Sequence, residues 1–170
     1  MSTPRISAAV EADIGAIWTV QRAAYLDEAQ ACGDPYIAPL AETREQVGAY
    51  LGADRILLKA ELGPRIVGAA RGRGTGSGFL INRLAVAPDV RRRGIGRALL
   101  AALEEHALRA QPDLESFALV TGRGGAADLR LYRALGYTET GRERLADHIT
   151  TVHLRKPAPG GASGTAGGEE

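Results

Sequence analysis

The chain is poor in the residues that make covalent or metallic staples. One cysteine, Cys32, stands among 170 residues, which excludes an intramolecular disulfide and any cysteine-based metal cluster. The three histidines, His106, His148 and His153, share no ligand spacing with one another or with acids, so no metal is expected. Lysine is almost missing as well: only Lys59 and Lys156 are Lys, and nineteen of the twenty-one basic residues are Arg. No apolar run reaches the length of a signal-peptide core or a membrane span, because Arg, Glu, Asp or Gly interrupts each one. A cytoplasmic protein with no membrane partner is expected.

What is present is ordinary globular material, with 45% hydrophobic and 24% charged residues. One domain is expected over 1–156. From Pro157 the composition collapses to Gly, Ala, Ser, Thr, Pro and Glu, with five Gly, too little apolar area to offset chain entropy, so 157–170 reads as a disordered tail. The formal charge of +1 asks for no polyanionic partner, yet between Arg65 and Arg97 eight Arg stand against the single acid Asp89. An anion, if bound, belongs there. Nucleic acid is not the expected one: that stretch lacks interleaved aromatics and a recognition helix, and the overall charge is near zero.

Periodicity organises the chain. Ile14, Ile17, Trp18, Ala24 and Tyr25 recur at three- and four-residue steps behind Asp13, which reads as an N-cap, and predict an amphipathic helix ending near Cys32-Gly33. Trp18 and Cys32 read as packed hydrophobes. Pro35 and Pro39 enforce an irregular link, and Thr43 with Gln46 forms a capping box for a short helix bearing Val47, Tyr50 and Leu51. Alternation over Arg55–Glu61, a turn at Leu62-Gly63-Pro64-Arg65, and a second run from Ile66 predict a β-hairpin. A glycine-rich break over 72–78 precedes a central strand, 79–86, stopped by Pro88. A helix opens at Gly94 and Gly96, with Leu99, Leu100, Leu103 and Ala107 on its buried stripe, and Pro112 closes it. A buried strand over 117–121, a helix over 126–135 capped by Gly136, and strand from Tyr137 to Leu154 complete the order.

Chemistry concentrates where the central strand gives way to a helix: Leu84-Ala85-Val86, then Arg91-Arg92-Arg93-Gly94-Ile95-Gly96-Arg97. A helix start leaves backbone N–H groups unpaired and carries partial positive charge, and glycines let a phosphate approach those donors. The guanidinium groups of Arg91 to Arg93 suit phosphate oxygens. This is a pyrophosphate cradle of neither familiar type: Gly-Lys-Ser/Thr is absent, and Leu99 stands where a dinucleotide fingerprint needs Gly or Ala.

Arg91-x-x-Gly94-x-Gly96 between a strand and a helix, followed downstream by Leu131-Tyr132-Arg133-Ala134-Leu135-Gly136-Tyr137, resembles the two signatures of the GCN5-related N-acetyltransferases (GNAT). The resemblance covers roughly 13–154. It implies an α/β fold of mixed, mostly antiparallel central sheet with helices on both faces, split where the strand at 79–86 leaves that at 117–121. It implies acetyl-coenzyme A as co-substrate, with the backbone of Leu84, Ala85 and Val86 pairing with the pantetheine arm and the N–H groups of 92–97 holding the pyrophosphate. Tyr132 would protonate the departing sulfur, a backbone N–H near 84–86 would meet the oxyanion, and the acceptor would be a primary amine of a small molecule, peptide or protein. Family members commonly carry Asn or Ala where Asp128 stands, and a carboxylate there accepts rather than donates a hydrogen bond to the cofactor.

The catalytic base is not readable from the sequence. By the same resemblance Glu28, Asp34, Glu42 and Glu45, with Glu139, Glu143, Asp147 and His148, flank the acceptor groove, and Tyr25 and Tyr36 line it. Their acidic balance suits a cationic amine. The alternative is a catalytically silent acyl-coenzyme A-binding regulatory module. Pairing through the edge of the last strands offers a route to a homodimer.

Overall fold

The computed structural model describes residues 3–122 and 126–160. Seven strands form one sheet: β1 (Arg5–Ala8), β2 (Arg55–Leu62), β3 (Arg65–Thr75), β4 (Gly78–Val86), β5 (Ser116–Gly122), β6 (Thr138–Ala146) and β7 (Ile149–Pro157). Their order is β1-β2-β3-β4-β5-β7-β6. All neighbours are antiparallel except β4 and β5. That parallel pair joins two antiparallel blocks, and α4 (Ile95–Ala110) makes the crossover that a parallel connection requires.

Side chains alternate across the sheet, so each face needs its own cover. Leu58 and Ala70 share a core with Leu99, Leu100 and Leu103 of α4, all three wholly buried. Each such leucine contributes roughly 1.5–3 kcal/mol by leaving water. Leu57 and Ala69 point the other way, onto Ile14 and Ile17 of α1 (Ile14–Cys32) and Val47 of α3 (Arg44–Gly48). The short α2 (Ala38–Ala41) lies between those two helices in the chain, and α5 (Ala126–Ala134) precedes β6.

Several local signals act as read. Thr43 Oγ1 accepts from the Gln46 N–H at 3.2 Å while Gln46 Oε1 accepts from the Thr43 N–H at 2.8 Å, a complete capping box. Gly63 and Gly136 adopt left-handed backbone, with φ of 57° and 96°, at the hairpin turn and behind α5. Others differ. Asp13 does not cap α1; its carboxylate accepts from the Val10 N–H and pairs with Lys59, each at 2.9 Å. The 72–78 segment is not a break but the end of β3, a turn at Gly76-Ser77 and the start of β4. At Gly72 a side chain would collide with the Phe79 ring, which is why glycine stands inside a strand. The first strand, Arg5–Ala8, went unread. Pro157 closes β7 opposite Ser116, and buried Ala158 donates its N–H to Glu115 O at 2.8 Å, so the described chain runs four residues past Lys156, while 161–170 of the expected tail lie outside the described residues.

A buried ion pair fastens the α1–α3 cover to the sheet. Arg71 of β3, 3% exposed, donates to both carboxylate oxygens of Glu42 at 2.5 Å. The same guanidinium stacks 4.1 Å over the Tyr50 ring and donates to Asn82 Oδ1. Gln21 donates to Glu42 Oε1, and the Trp18 indole N–H to Glu42 O. Burial alone would raise the Glu42 carboxyl, but the bonds from Arg71 and Gln21 and the charges of Arg71 and Arg83 outweigh it and hold the group below its ordinary value.

Removing one partner of such a pair leaves a bare charge in the interior. Glu42→Ala is therefore expected to lower the unfolding free energy by about 3–5 kcal/mol, whereas the double variant Glu42→Gln with Arg71→Met loses far less. Denaturant unfolding of the two variants checks this.

Candidate active site

β4 and β5 pair over only four residues, Gly78–Ile81 against Ser116–Leu119, and then part. The far edge of β4 past Ile81 is left without a strand neighbour, while β5 continues against β7 to Gly122. Into this opening run Tyr25 and Glu28 from α1, Tyr132 from α5, and Ile149 and Thr151 from β7, enclosing a cleft of about 360 Å³. Such a volume suits a small molecule or the end of a chain.

The expected cradle lies where β4 ends. Pro88–Val90 makes one tight turn, Arg92 takes a left-handed φ of 65°, and Gly94 follows at φ 76° before α4 begins. Gly94 has open space around it, so conformation and not crowding requires glycine there. No side chain caps α4. The first helical closure is from the Ala98 N–H to Gly94 O, and among the described residues no backbone N–H from Arg91 to Arg97 finds a protein acceptor. A side chain at Gly96 would stand in ordinary contact with Leu131, at 3.4 Å, and Val86, at 3.7 Å. These features fit a pyrophosphate.

The arginines divide. Arg92, Arg93 and Arg97 are exposed around the loop. Arg91 turns away from it: its guanidinium bonds Asp27 at 2.6 Å and Ala24 O at 2.9 Å, tying the loop to α1. Of the four remaining arginines in the basic stretch, Arg65 is neutralised by Asp89, Arg71 by Glu42, Arg83 lies 3.6 Å from Glu42, and Arg73 is exposed. Half of the eight arginines are thus paired with acids in the fold, and Arg73, Arg92, Arg93 and Arg97 stay exposed.

Tyr132 is 6% exposed, packs edge-on to Tyr137 and faces the cleft. Burial, reinforced by Tyr25, Asp128, Tyr137 and Glu28 nearby, raises its phenol well above the usual value and keeps it protonated. Asp128, one turn earlier on α5, presents its own surface to solvent, yet the protein around it raises its carboxyl, against the pull of Arg91. Tyr25 lines the cleft but its hydroxyl is committed, donating to Leu84 O at 3.2 Å. It braces the β4 edge that was expected to meet a pantetheine arm. Tyr36 is 80% exposed at the rim.

The sequence treated Glu28 as one rim acid among many. The fold carries its carboxylate to the end of β5, and burial plus the repulsion of Asp128 raise it, while Arg83 opposes. A signal existed: Gln21, Tyr25 and Glu28 follow one another at four- and three-residue steps, so a carboxylate continues the buried stripe of α1.

Burial first, with the nearby Glu28 and Asp128, pushes the Tyr25 phenol up to about 12. In an alkaline titration followed by tyrosinate absorbance, Tyr25→Phe is expected to leave the signal below about pH 11 unchanged; loss of one tyrosinate there would contradict the assignment.

Residues 21–158 match the family model described as an acetyltransferase (GNAT) domain. A search of curated proteins returns no match. Among solved structures, the ribosomal-protein-S18-alanine N-acetyltransferase from Escherichia coli aligns at TM-score 0.74 and 19% identity, over 91% of this chain and 94% of that one. A phosphinothricin acetyltransferase from Sinorhizobium meliloti, in complex with AcCoA, aligns at 0.74 and 19%, over 92% and 89%. The PaiA N-acetyltransferase from Thermoplasma acidophilum, in complex with coenzyme A, gives 0.68 and 15%, over 92% and 100%. These likenesses concern the fold. The family match runs from the middle of α1 to the residue after β7, taking in both walls of the parted sheet and the loop between them, and on that ground the chain belongs to the GNAT acetyltransferases.

Proposed function

We propose that the protein is an acetyl-coenzyme A-dependent N-acetyltransferase that transfers the acetyl group directly to a primary amine of a small molecule or of a peptide or protein. The observation that carries this reading is the cleft between β4 and β5, with an uncapped helix start on one side and a protonated, buried phenol facing in from the other.

When bound, acetyl-coenzyme A supplies an activated acyl group as a thioester. The N–H groups of Arg92 to Arg97, with Arg92, Arg93 and Arg97 beside them, are the donors suited to its pyrophosphate. The unpaired edge of β4 over Leu84 to Val86 offers backbone groups to the pantetheine arm, and Tyr25 fixes that edge in place. A β4 N–H is the group positioned to meet the oxygen that gains charge during attack. Tyr132 gives its proton to the leaving sulfur, a task that suits a phenol which burial keeps from ionising. Asp128 remains the departure from the family pattern, its carboxyl raised by burial against the pull of Arg91.

The amine is the expected acceptor because acids outnumber bases around the cleft mouth and because structural relatives are named as a ribosomal-protein-S18-alanine N-acetyltransferase and a phosphinothricin acetyltransferase.

Two variants test the reading. Acetyl-coenzyme A at a hundred times its dissociation constant should add roughly 2.7 kcal/mol of stability and raise the melting midpoint by a few degrees. Gly94→Asp, which sets a side chain and a like charge at the cradle, should erase that rise, and an undiminished shift would remove the cradle. Tyr132→Phe should keep the shift and lose about 10²–10⁴ in kcat, measured by thiol release with an amine panel. Binding by the wild-type protein without turnover on any amine would favour the regulatory module.

A further inference from the structure

Most acids flanking the cleft are already engaged. Glu42 is held by Arg71, Asp34 by His148 at 2.9 Å, and Glu139 by Arg142 and Arg133. Glu143 faces His153, and Asp147 faces Arg144. Glu28 differs from all of them. From α1 it reaches over the end of β5, where its Oε1 fills the space that any side chain on Gly122 would need. Among the described residues its carboxylate has no hydrogen-bond or ion-pair partner. It lines the cleft beside Leu84 and Tyr132, and also borders the groove that leads outward past Ile149 and His148.

We propose that Glu28 is the base that takes the proton from the acceptor amine at the inner end of that groove. This rests on the reading of direct acetyl transfer given above. An ammonium ion arriving from solvent gives one proton to the Glu28 carboxylate, which later releases it to water. The freed nitrogen pair forms the new C–N bond as the C–S bond breaks. The sulfur leaves with the proton of Tyr132, and the second proton shed by nitrogen on becoming an amide makes up the one the phenol gave. The net products are amide, thiol and one proton in solution.

The surroundings fit the task. A carboxylate raised toward neutrality is a stronger base than one at its ordinary value, and burial with Asp128 of α5 does the raising here. Arg83 of β4 opposes, Tyr25 and Tyr132 are neutral neighbours, and His148 and Asp147 stand at the outer groove. The glycine at 122 is then a requirement of the base and not of the strand.

Thiol release from acetyl-coenzyme A is followed against pH with propylamine, spermidine and a short peptide with a free amino terminus as acceptor probes, alongside the melting shift with acetyl-coenzyme A. Glu28→Gln should retain that shift, lose about a hundredfold or more in kcat/KM, and lose the acidic limb of the profile. Asp128→Asn should move the limb to lower pH, since a repelling charge is gone. Gly122→Ala, which displaces the carboxylate without changing its chemistry, should keep the shift and lose about tenfold. A Glu28→Gln variant within about threefold of wild type, or one that keeps the acidic limb, overturns the assignment. Wild-type protein that binds acetyl-coenzyme A yet turns over none of the probes overturns the transfer reading and this role with it. Wild-type turnover that survives in Glu28→Gln overturns this role alone.

Discussion

Four residue pairs hold the two halves of the sheet together, Gly78 to Ile81 against Ser116 to Leu119, and the site follows from the fact that there are only four. Past Ile81 the β4 backbone has a partner on the β3 side and none on the other. An unpaired strand edge inside a protein is costly unless something satisfies it. Tyr25 takes one carbonyl, that of Leu84, and the remainder borders the cleft. Had the strands stayed together, Tyr132 and Glu28 would face a closed surface. Their separation depends in turn on β5 having its other neighbour, β7, all the way to Gly122, so that it can leave β4 without losing its own ladder.

Charge is arranged to the same end. The cover formed by α1 to α3 needs a fixed position over β3 and β4, because one wall of the cleft is built on α1. Apolar packing of Ile14, Ile17 and Val47 supplies the adhesion, and the Arg71–Glu42 pair with Tyr50, Asn82, Gln21 and Trp18 supplies the register, since each of those bonds is lost on a small slide. Arg91 adds a second tie, from the loop to Asp27 and Ala24 of α1. The loop and the α1 wall are therefore one mechanical unit, although sixty-four residues separate Arg91 from Asp27.

What could be read from sequence and what could not divides along contact distance. The capping box at Thr43, the turns at Gly63 and Gly136 and the helix start at Gly94 rest on neighbours within a few residues, and each behaves as its local chemistry dictates. The same is true of the apolar stripe of α4. Arg5–Ala8 escaped because a four-residue strand holding Arg and Ser carries no alternation worth reading. Asp13 has the residue type of a cap, but Lys59, distant in sequence, competes for its carboxylate. The glycines of 72–78 looked like a break because the Phe79 ring that needs the space at Gly72 is packed there only in the folded sheet. The arginine-rich stretch misled in the same way: its acids Asp27 and Glu42 lie far upstream, and only the fold brings them to Arg91 and Arg71.

Tyr25, Tyr132 and Glu28 line the cleft, and Asp128 stands close enough to raise all three. None of the four carries positive charge: the two carboxylates raise both phenols, Asp128 raises Glu28, and Tyr25 adds to the raising of Tyr132. Burial sets the direction, since every one of them favours its neutral form as water is withdrawn. The consequence separates by chemistry. The phenols, already weak acids, are driven so far that they can only donate. The carboxyls, starting near the acid end, are driven toward the range where taking and returning a proton are both easy. On the proposed reading the donor stands on α5 and the acceptor of protons on α1, on opposite sides of the opening between β4 and β5. Arg83 limits the process: its positive charge draws Glu28 down against burial and Asp128, favouring the carboxylate that an arriving ammonium needs. One parted strand pair and one arginine are enough to keep acid and base distinct in a single small cleft.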